Sequence, residues 1–154
     1  MTFKKSHTLP LVISGFFFCL DQVFKWYAFA HQSFHAFLID NTLGWEYLGN
    51  TGVAFSLPFP NTVLIVGTPI LLILLLAYAG GKQDMSSRMF LGGSLIFFGA
   101  LSNLIDRTLY ALTIDYIRIL TAVINIGDIM IVCGTLFLLF GGEENLKGDQ
   151  AQVT

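Results

Sequence analysis

A chain of 154 residues that is 55% hydrophobic and 12% charged, with a mean hydropathy of +0.71, is too apolar for an ordinary soluble domain. Fifteen phenylalanines and fifteen glycines fit one polytopic membrane domain over residues 1–154. The net charge of −2 and the lack of any basic run exclude a nucleic-acid partner.

The first element is an apolar run at Leu9–Phe29, preceded by Lys4 and Lys5. It has the look of a secretory leader, but it lacks a small-x-small cleavage site. Its apolar stretch also continues past Asp21 through Trp26, Tyr27 and Phe29. An uncleaved first span is therefore expected. Phe18 is too bulky for the residue before a lipidated cysteine, so "GFFFC" is not read as a lipidation site. Cys19 and Cys133 both lie in apolar segments and are read as packing residues, not as a disulfide.

The next segment, 30–61, contains neither Lys nor Arg. Its strand-like runs Phe34–Ile39 and Gly44–Leu48 flank the turn-forming pair Asp40-Asn41, which predicts a small sheet lying on the membrane surface. Further spans are predicted at Thr62–Ala79, at 89–107 and at Ala122–Phe140. A second outer loop would occupy 108–121, and a polar cytoplasmic tail 141–154. The expected fold is thus an all-α integral membrane protein. It would have four transmembrane helices and a β-rich extracytoplasmic loop domain between the first two.

Lys4, Lys5, Lys82 and Arg88 place both termini and the short loop between spans two and three in the cytoplasm. Arg107 and Arg118 run against this count, and Arg107 needs a local partner.

With that orientation the polar residues gather on the outer side. Asp21 lies in the outer half of span one, and Asn50 begins "NTGVAFS". Asn103, Asp106 and Arg107 end span three, Asp115 follows, and Asn125 and Asp128 open span four. An aspartate at the centre of a membrane helix costs roughly 2.5–3.5 kcal/mol, less toward the interface. Plain structural roles are available for several of these residues. Asp21 can snorkel, Asn50 can be a turn residue, and Asn125 can cap a helix. Arg107 can reach lipid phosphates or pair with Asp106. Asp115 and Asp128 are harder to explain this way, since each is expected beside apolar surroundings with no lysine near. Two carboxylates in a poorly solvated site share a proton, and such a pair can act as acid and base at once. His7, His31 and His35 suit neither a serine triad nor a zinc site, which leaves the carboxylate pair.

These residues also carry a family resemblance. "DQVFK" (Asp21, Gln22, Lys25) resembles the D-Q-x-x-K that ends the first helix of bacterial lipoprotein signal peptidases. "NTGVAFS" is similar to the family's N-x-G-x-A-F box, through Asn50, Gly52, Ala54 and Phe55. "SNLIDRTLYALTIDY" resembles G-N-x-x-D-R followed by the first catalytic aspartate, giving Asn103, Asp106, Arg107 and Asp115. "NIGD" resembles N-x-A-D, giving Asn125 and Asp128. Four motifs in order, at the right helix ends, are highly specific.

The resemblance implies an aspartyl endopeptidase (signal peptidase II) of the bacterial inner membrane. It would remove the signal peptide from diacylglyceryl-modified prolipoproteins just before the lipidated cysteine. Asp115 and Asp128 would be the catalytic dyad. Asp21, Lys25, Asn50, Gly52, Asn103, Asp106, Arg107 and Asn125 would bind substrate or orient the site, and the outer loop would clamp the substrate. No metal or organic cofactor is implied. The partners would be lipidated prolipoproteins and membrane lipids, the protein would act as a monomer, and globomycin would inhibit it.

Ser102 stands in place of the usual glycine, Ala111 where glycine is common, Tyr116 for phenylalanine and Gly127 for alanine. The interval from Asp115 to Asn125 is also short. These departures bear on substrate range and inhibitor affinity and remove no catalytic group. The competing functional classes are a small cation or proton transporter and a silent paralogue that binds lipoproteins without cutting them. A transporter would place its acids near the midplane or in a repeat. Here they gather at the outer helix ends.

Overall fold

A computed structural model describes residues 7–40, 42–53, 57–82 and 85–140. Lys4 and Lys5, the turn residue Asn41, Ala54 and Phe55 of the "NTGVAFS" box, and the tail 141–154 lie outside the described residues. In chain order the elements are α1 (Thr8–Ala30), β1 (His35–Ile39), β2 (Leu43–Asn50), α2 (Asn61–Gly81), α3 (Ser87–Tyr110), β3 (Thr113–Ile119), β4 (Ala122–Ile124) and α4 (Ile126–Phe140).

Three helices, α1, α2 and α3, are long and apolar enough to cross a membrane. The fourth, α4, is apolar but only 15 residues long, about 22 Å at 1.5 Å per residue. The span expected at Ala122–Phe140 is therefore corrected. Its first three residues form a strand, and Asn125 separates that strand from the helix. Hydropathy does not distinguish an apolar "AVI" strand from the first turn of a span.

The helix α3 is central. α1, α2 and α4 each pack on it, and α4 does so most extensively. Close approach of α3 and α4 depends on glycine. A Cβ at Gly99 would come within 2.5 Å of the Gly127 carbonyl, and one at Gly92 within 2.8 Å of the Gly134 carbonyl. Such small-residue seams let backbones touch where lipid supplies no hydrophobic drive. α2 makes little contact with α1 or α4, and Leu72 is its one buried residue.

The sheet is antiparallel with order β1-β2-β3-β4. It is not confined to the loop between the first two helices, as expected from the sequence. Half of it comes from the α3–α4 connection, because β2 has β1 on one edge only and its other row of N–H and C=O groups pairs with β3. The short interval between Asp115 and Asn125 is accounted for by a tight β3–β4 hairpin, with Leu120 at φ 55 in its turn. Leu120 N–H donates to the Thr42 carbonyl at 2.6 Å, which ties the two hairpin tips together. Arg118 on β3 finds its partner in Glu46 on β2, and this bond lowers the Glu46 pKa.

β3 alternates over Thr113–Tyr116. Ile114 and Tyr116 point into a buried cluster with Ala28, flanked by Phe24 and Trp45. Thr113 and Asp115 point the other way, into a cleft.

Candidate active site

That cleft holds about 550 Å³ and lies where α3, α4, β3 and the end of β2 meet, with Thr68 of α2 at its side. Asn50, Asn103, Arg107, Asp115 and Asp128 line it, and the rest is largely apolar: Ala100, Leu104, Ile129, Val132 and neighbours. Asp115 arrives on β3 and Asp128 on the first turn of α4.

Asn125 joins them. Its side-chain oxygen accepts the Asp128 N–H at 2.9 Å, and the Asp128 carboxylate accepts the Asn125 N–H at 3.3 Å. This is a reciprocal capping box that starts α4. The Asn125 amide nitrogen, left free by that arrangement, donates to Asp115 at 2.6 Å. The capping role expected for Asn125 is present, and the same residue bridges the two carboxylates.

The other asparagines follow the same logic. The Asn50 oxygen accepts the Gly52 N–H at 2.9 Å, so the turn role holds, and its nitrogen donates to Asp115 at 3.0 Å. The Asn103 oxygen accepts from Lys25 at 2.8 Å and its nitrogen donates to Asp128 at 2.9 Å. In each case one end of the amide is held by a fixed donor, so the N–H₂ end is turned toward a carboxylate.

Burial is the largest influence on Asp115, and the neighbouring Asp128 charge adds to it; its pKa rises to about 7. The amides of Asn50 and Asn125 pull the other way, because they favour the ionised form.

Behind the cleft lies a second polar cluster. Lys25 is 1% exposed and contacts Asp21 at 3.1 Å, Asp106 at 2.9 Å and Ser102 at 3.1 Å, besides Asn103. Asp21 does not snorkel. It is fully buried and accepts from Ser102 (2.5 Å), Tyr116 (2.7 Å) and the Ile126 N–H (3.0 Å). Asp106 accepts the Ile114 N–H at 3.1 Å, which fixes the strand beside Asp115. Lys25 is thus one amide away from Asp128, a closeness the sequence did not reveal.

Arg107 does not pair with Asp106. Its Nη2 donates to the Gly52 carbonyl at 2.6 Å and its Nη1 to Asn61 at 3.3 Å. It pins the segment after β2 and the first residue of α2 against α3. Gly52 itself serves through its backbone groups.

Of the residues predicted for the site, Asn50, Asn103, Arg107, Asp115 and Asp128 line the cleft, Gly52, Lys25 and Asn125 touch a lining residue, and Asp21 and Asp106 lie behind Lys25. Three further contributors were not assigned roles from sequence: Ser102, Tyr116 and Asn61. Ser102 and Asp106 repeat the four-residue spacing of Asn103 and Arg107, a signal that marks Ser102 as facing the same polar interior. No local signal marks the Tyr116 hydroxyl, whose partner lies 95 residues away.

Comparison with known proteins identifies the family of this chain. The family model described as Signal peptidase (SPase) II matches residues 13–141. The lipoprotein signal peptidase of Clostridium novyi (strain NT) is 34% identical over 139 residues, covering 84% of this chain and 94% of the relative. That of Syntrophus aciditrophicus (strain SB) is 31% identical over 149 residues, covering 88% and 92%. Two bacterial membrane enzymes with structures determined by the in meso method share the fold. One has a TM-score of 0.81 at 24% identity, covering 91% of this chain and 90% of that one. The other has a TM-score of 0.75 at 25% identity, covering 86% and 91%. Matched along most of its length by the family model and by relatives bearing the same name, this chain belongs to the signal peptidase II family of aspartic peptidases.

Proposed function

We propose that this membrane peptidase removes the signal peptide from diacylglyceryl-modified prolipoproteins just before the lipidated cysteine, with Asp115 and Asp128 as its catalytic dyad. The observation that carries this reading is the pair itself. Two carboxylates line one largely apolar cleft, both are fed by asparagine amides, and Asn125 bridges them.

The chemistry follows from their shared proton. The ionised member takes a proton from a water molecule as that water attacks the scissile carbonyl. The protonated member donates to the carbonyl oxygen, so charge does not build up there. Collapse of the tetrahedral gem-diol breaks the C–N bond. The proton taken from water passes to the departing cysteine nitrogen, a gem-diol hydroxyl returns its proton to the carboxylate that had donated, and the pair regains its single shared proton as the new C-terminal carboxyl forms. The amides of Asn50, Asn103 and Asn125 hold both carboxylates in place through the cycle. Arg107 fixes the Gly52 segment that borders the cleft. Lys25, Asp21 and Asp106 position the groups behind it.

The reading includes a topology of four spans in the bacterial inner membrane, with both termini cytoplasmic and the dyad on the outer side. In this topology the first turn of α4, which carries Asp128 and follows β4, is assigned to the outer end. Diacyl chains would seat beside the cleft, each buried CH₂ contributing about 0.8 kcal/mol. The protein would act without a resident metal or organic cofactor.

The test is cleavage by purified protein of matched lipidated and unmodified precursors. The lipidated precursor is cut and the unmodified one largely spared. Asp115→Asn and Asp128→Asn each abolish cutting while the protein still inserts, and the double variant is no worse than either single one. Comparable rates on both precursors remove the lipid from the proposal. Substantial activity in Asp128→Asn removes the dyad.

A further inference from the structure

Thr113 is two residues before Asp115 on the same face of β3, and its side chain lines the same cleft. It is 2% exposed, yet its hydroxyl has no hydrogen-bond partner among the described residues. The other orphaned buried group, the Trp45 indole N–H, lies outside the cleft lining. The remaining buried polar side chains of the cleft are all engaged. Asn50, Asn103 and Asp115 bond within the carboxylate network, and Arg107 bonds to Gly52 and Asn61. Among the described residues that line the cleft, only Thr113 has a buried side-chain polar atom with no partner at all.

An unmatched buried hydroxyl is costly, and a valine of almost the same shape would avoid the cost. A site that keeps it gains only when a ligand supplies the missing partner. The cleft presents the hydroxyl next to the group that activates water, so the partner belongs to the reacting end of the substrate. Resting on the peptidase reading above, we propose that the Thr113 hydroxyl is a substrate-binding group that donates a hydrogen bond to a substrate carbonyl beside the bond being cut. That carbonyl belongs either to the peptide or to an ester of the diacylglyceryl group. In both cases the hydroxyl registers the lipidated cysteine against Asp115.

The experiment compares wild type, Thr113→Val and Thr113→Ser, measuring cleavage of a diacylglyceryl precursor and of its ether-linked analogue, together with thermal unfolding in detergent. Thr113→Val should lose about tenfold in kcat/KM, the usual loss when a buried polar group faces no partner. It should be at least as stable as wild type without substrate, because the orphaned hydroxyl is gone. Thr113→Ser, which keeps the hydroxyl, should recover most of the activity. A loss of equal size on both substrates assigns the peptide carbonyl, and a loss that vanishes with the ether analogue assigns the ester. Unchanged kcat/KM in Thr113→Val, with wild type cutting normally, overturns this inference alone. Lower stability in Thr113→Val also overturns it, since that marks a structural hydroxyl. A wild type that cuts no lipidated precursor overturns the proposed function and this inference with it.

Discussion

The Lys25 ammonium holds the side-chain oxygen of Asn103 at 2.8 Å, so the amide nitrogen of Asn103 faces Asp128 at 2.9 Å. An ammonium has only donors, so the atom that meets it must be the oxygen. A lysine on α1 thereby decides which end of an α3 amide reaches a carboxylate on α4. Asn103→Leu removes the donor to Asp128 but leaves Lys25 three other acceptors. It should cost about 10–100-fold in kcat, the worth of one hydrogen bond to a charged group, with little loss of stability. Lys25→Met should instead lower stability by about 3–5 kcal/mol, because Asp21 and Asp106 are left buried without their cation. Unfolding midpoints and single-turnover cleavage on the two variants separate these effects.

The Asp115 carboxyl, raised to about 7 chiefly by burial and then by Asp128, sets a pH dependence. Above about pH 7 the pair loses its shared proton, and cleavage should decline there. Stability follows the same group. A folded-state pKa above the unfolded value of about 3.9 means that the contribution is complete below that value and is lost as pH rises through about 7. Thermal unfolding of wild type should therefore weaken across that window, and Asp115→Asn should flatten the slope. Equal slopes in the two proteins would contradict the assignment.

Arg107 uses two separate nitrogens of its planar group, one on the Gly52 carbonyl and one on Asn61. Lysine offers a point charge with no such fork. Arg107→Lys should lose about tenfold or more in activity, because a charge-assisted bond is worth about 1.5–3 kcal/mol. Near-normal turnover with lysine would show that the segment after β2 holds itself.

Ala111 ends α3 with φ 60, the left-handed conformation that favours glycine, and its N–H donates to the Arg107 carbonyl at 3.1 Å. The usual glycine at this position thus has a plain physical basis. Ala111→Gly should relieve the strain and raise stability by about 0.5–1 kcal/mol, with activity unchanged. A lower unfolding midpoint would show that chain entropy outweighs it.

The gathering of acids at one end of the bundle was legible because each sat beside an apolar run, and the motifs fixed their order. The spacing of Asn103 and Arg107 placed both on one face of α3, as the structure has them. The sheet was only half legible. Residues 34–39 and 44–48 alternate in the manner of surface strands. "TIDYIRI" instead reads as part of a loop, since its pairing with β2 is a tertiary fact. The start of α4 was misplaced for the related reason that apolar strand and apolar span have one hydropathy. The clamp on Asp21 was the least legible part. Ser102 has its four-residue spacing to Asp106 and Tyr116 has no local signal, and their shared partner appears once α1, α3 and β3 are in contact.

Asp115 stands opposite Leu48, and Thr113 opposite Asn50, on adjacent strands. A slip of one residue along those rungs would turn Asp115 toward Ala28 and present Tyr116 or Ile114 to the cleft instead. The β1–β2 hairpin therefore serves as a gauge for the position of the carboxylate. The β1 end of that hairpin, at Ile39, is remote from the gauged rungs, so a change of length there leaves the carboxylate in place. The rungs from Leu48 to Asn50 tolerate no inserted or deleted residue, since Leu48 stands opposite Asp115 and Asn50 donates to it. Length variation among natural variants of this chain should accordingly pile up at one end of the hairpin and vanish at the other.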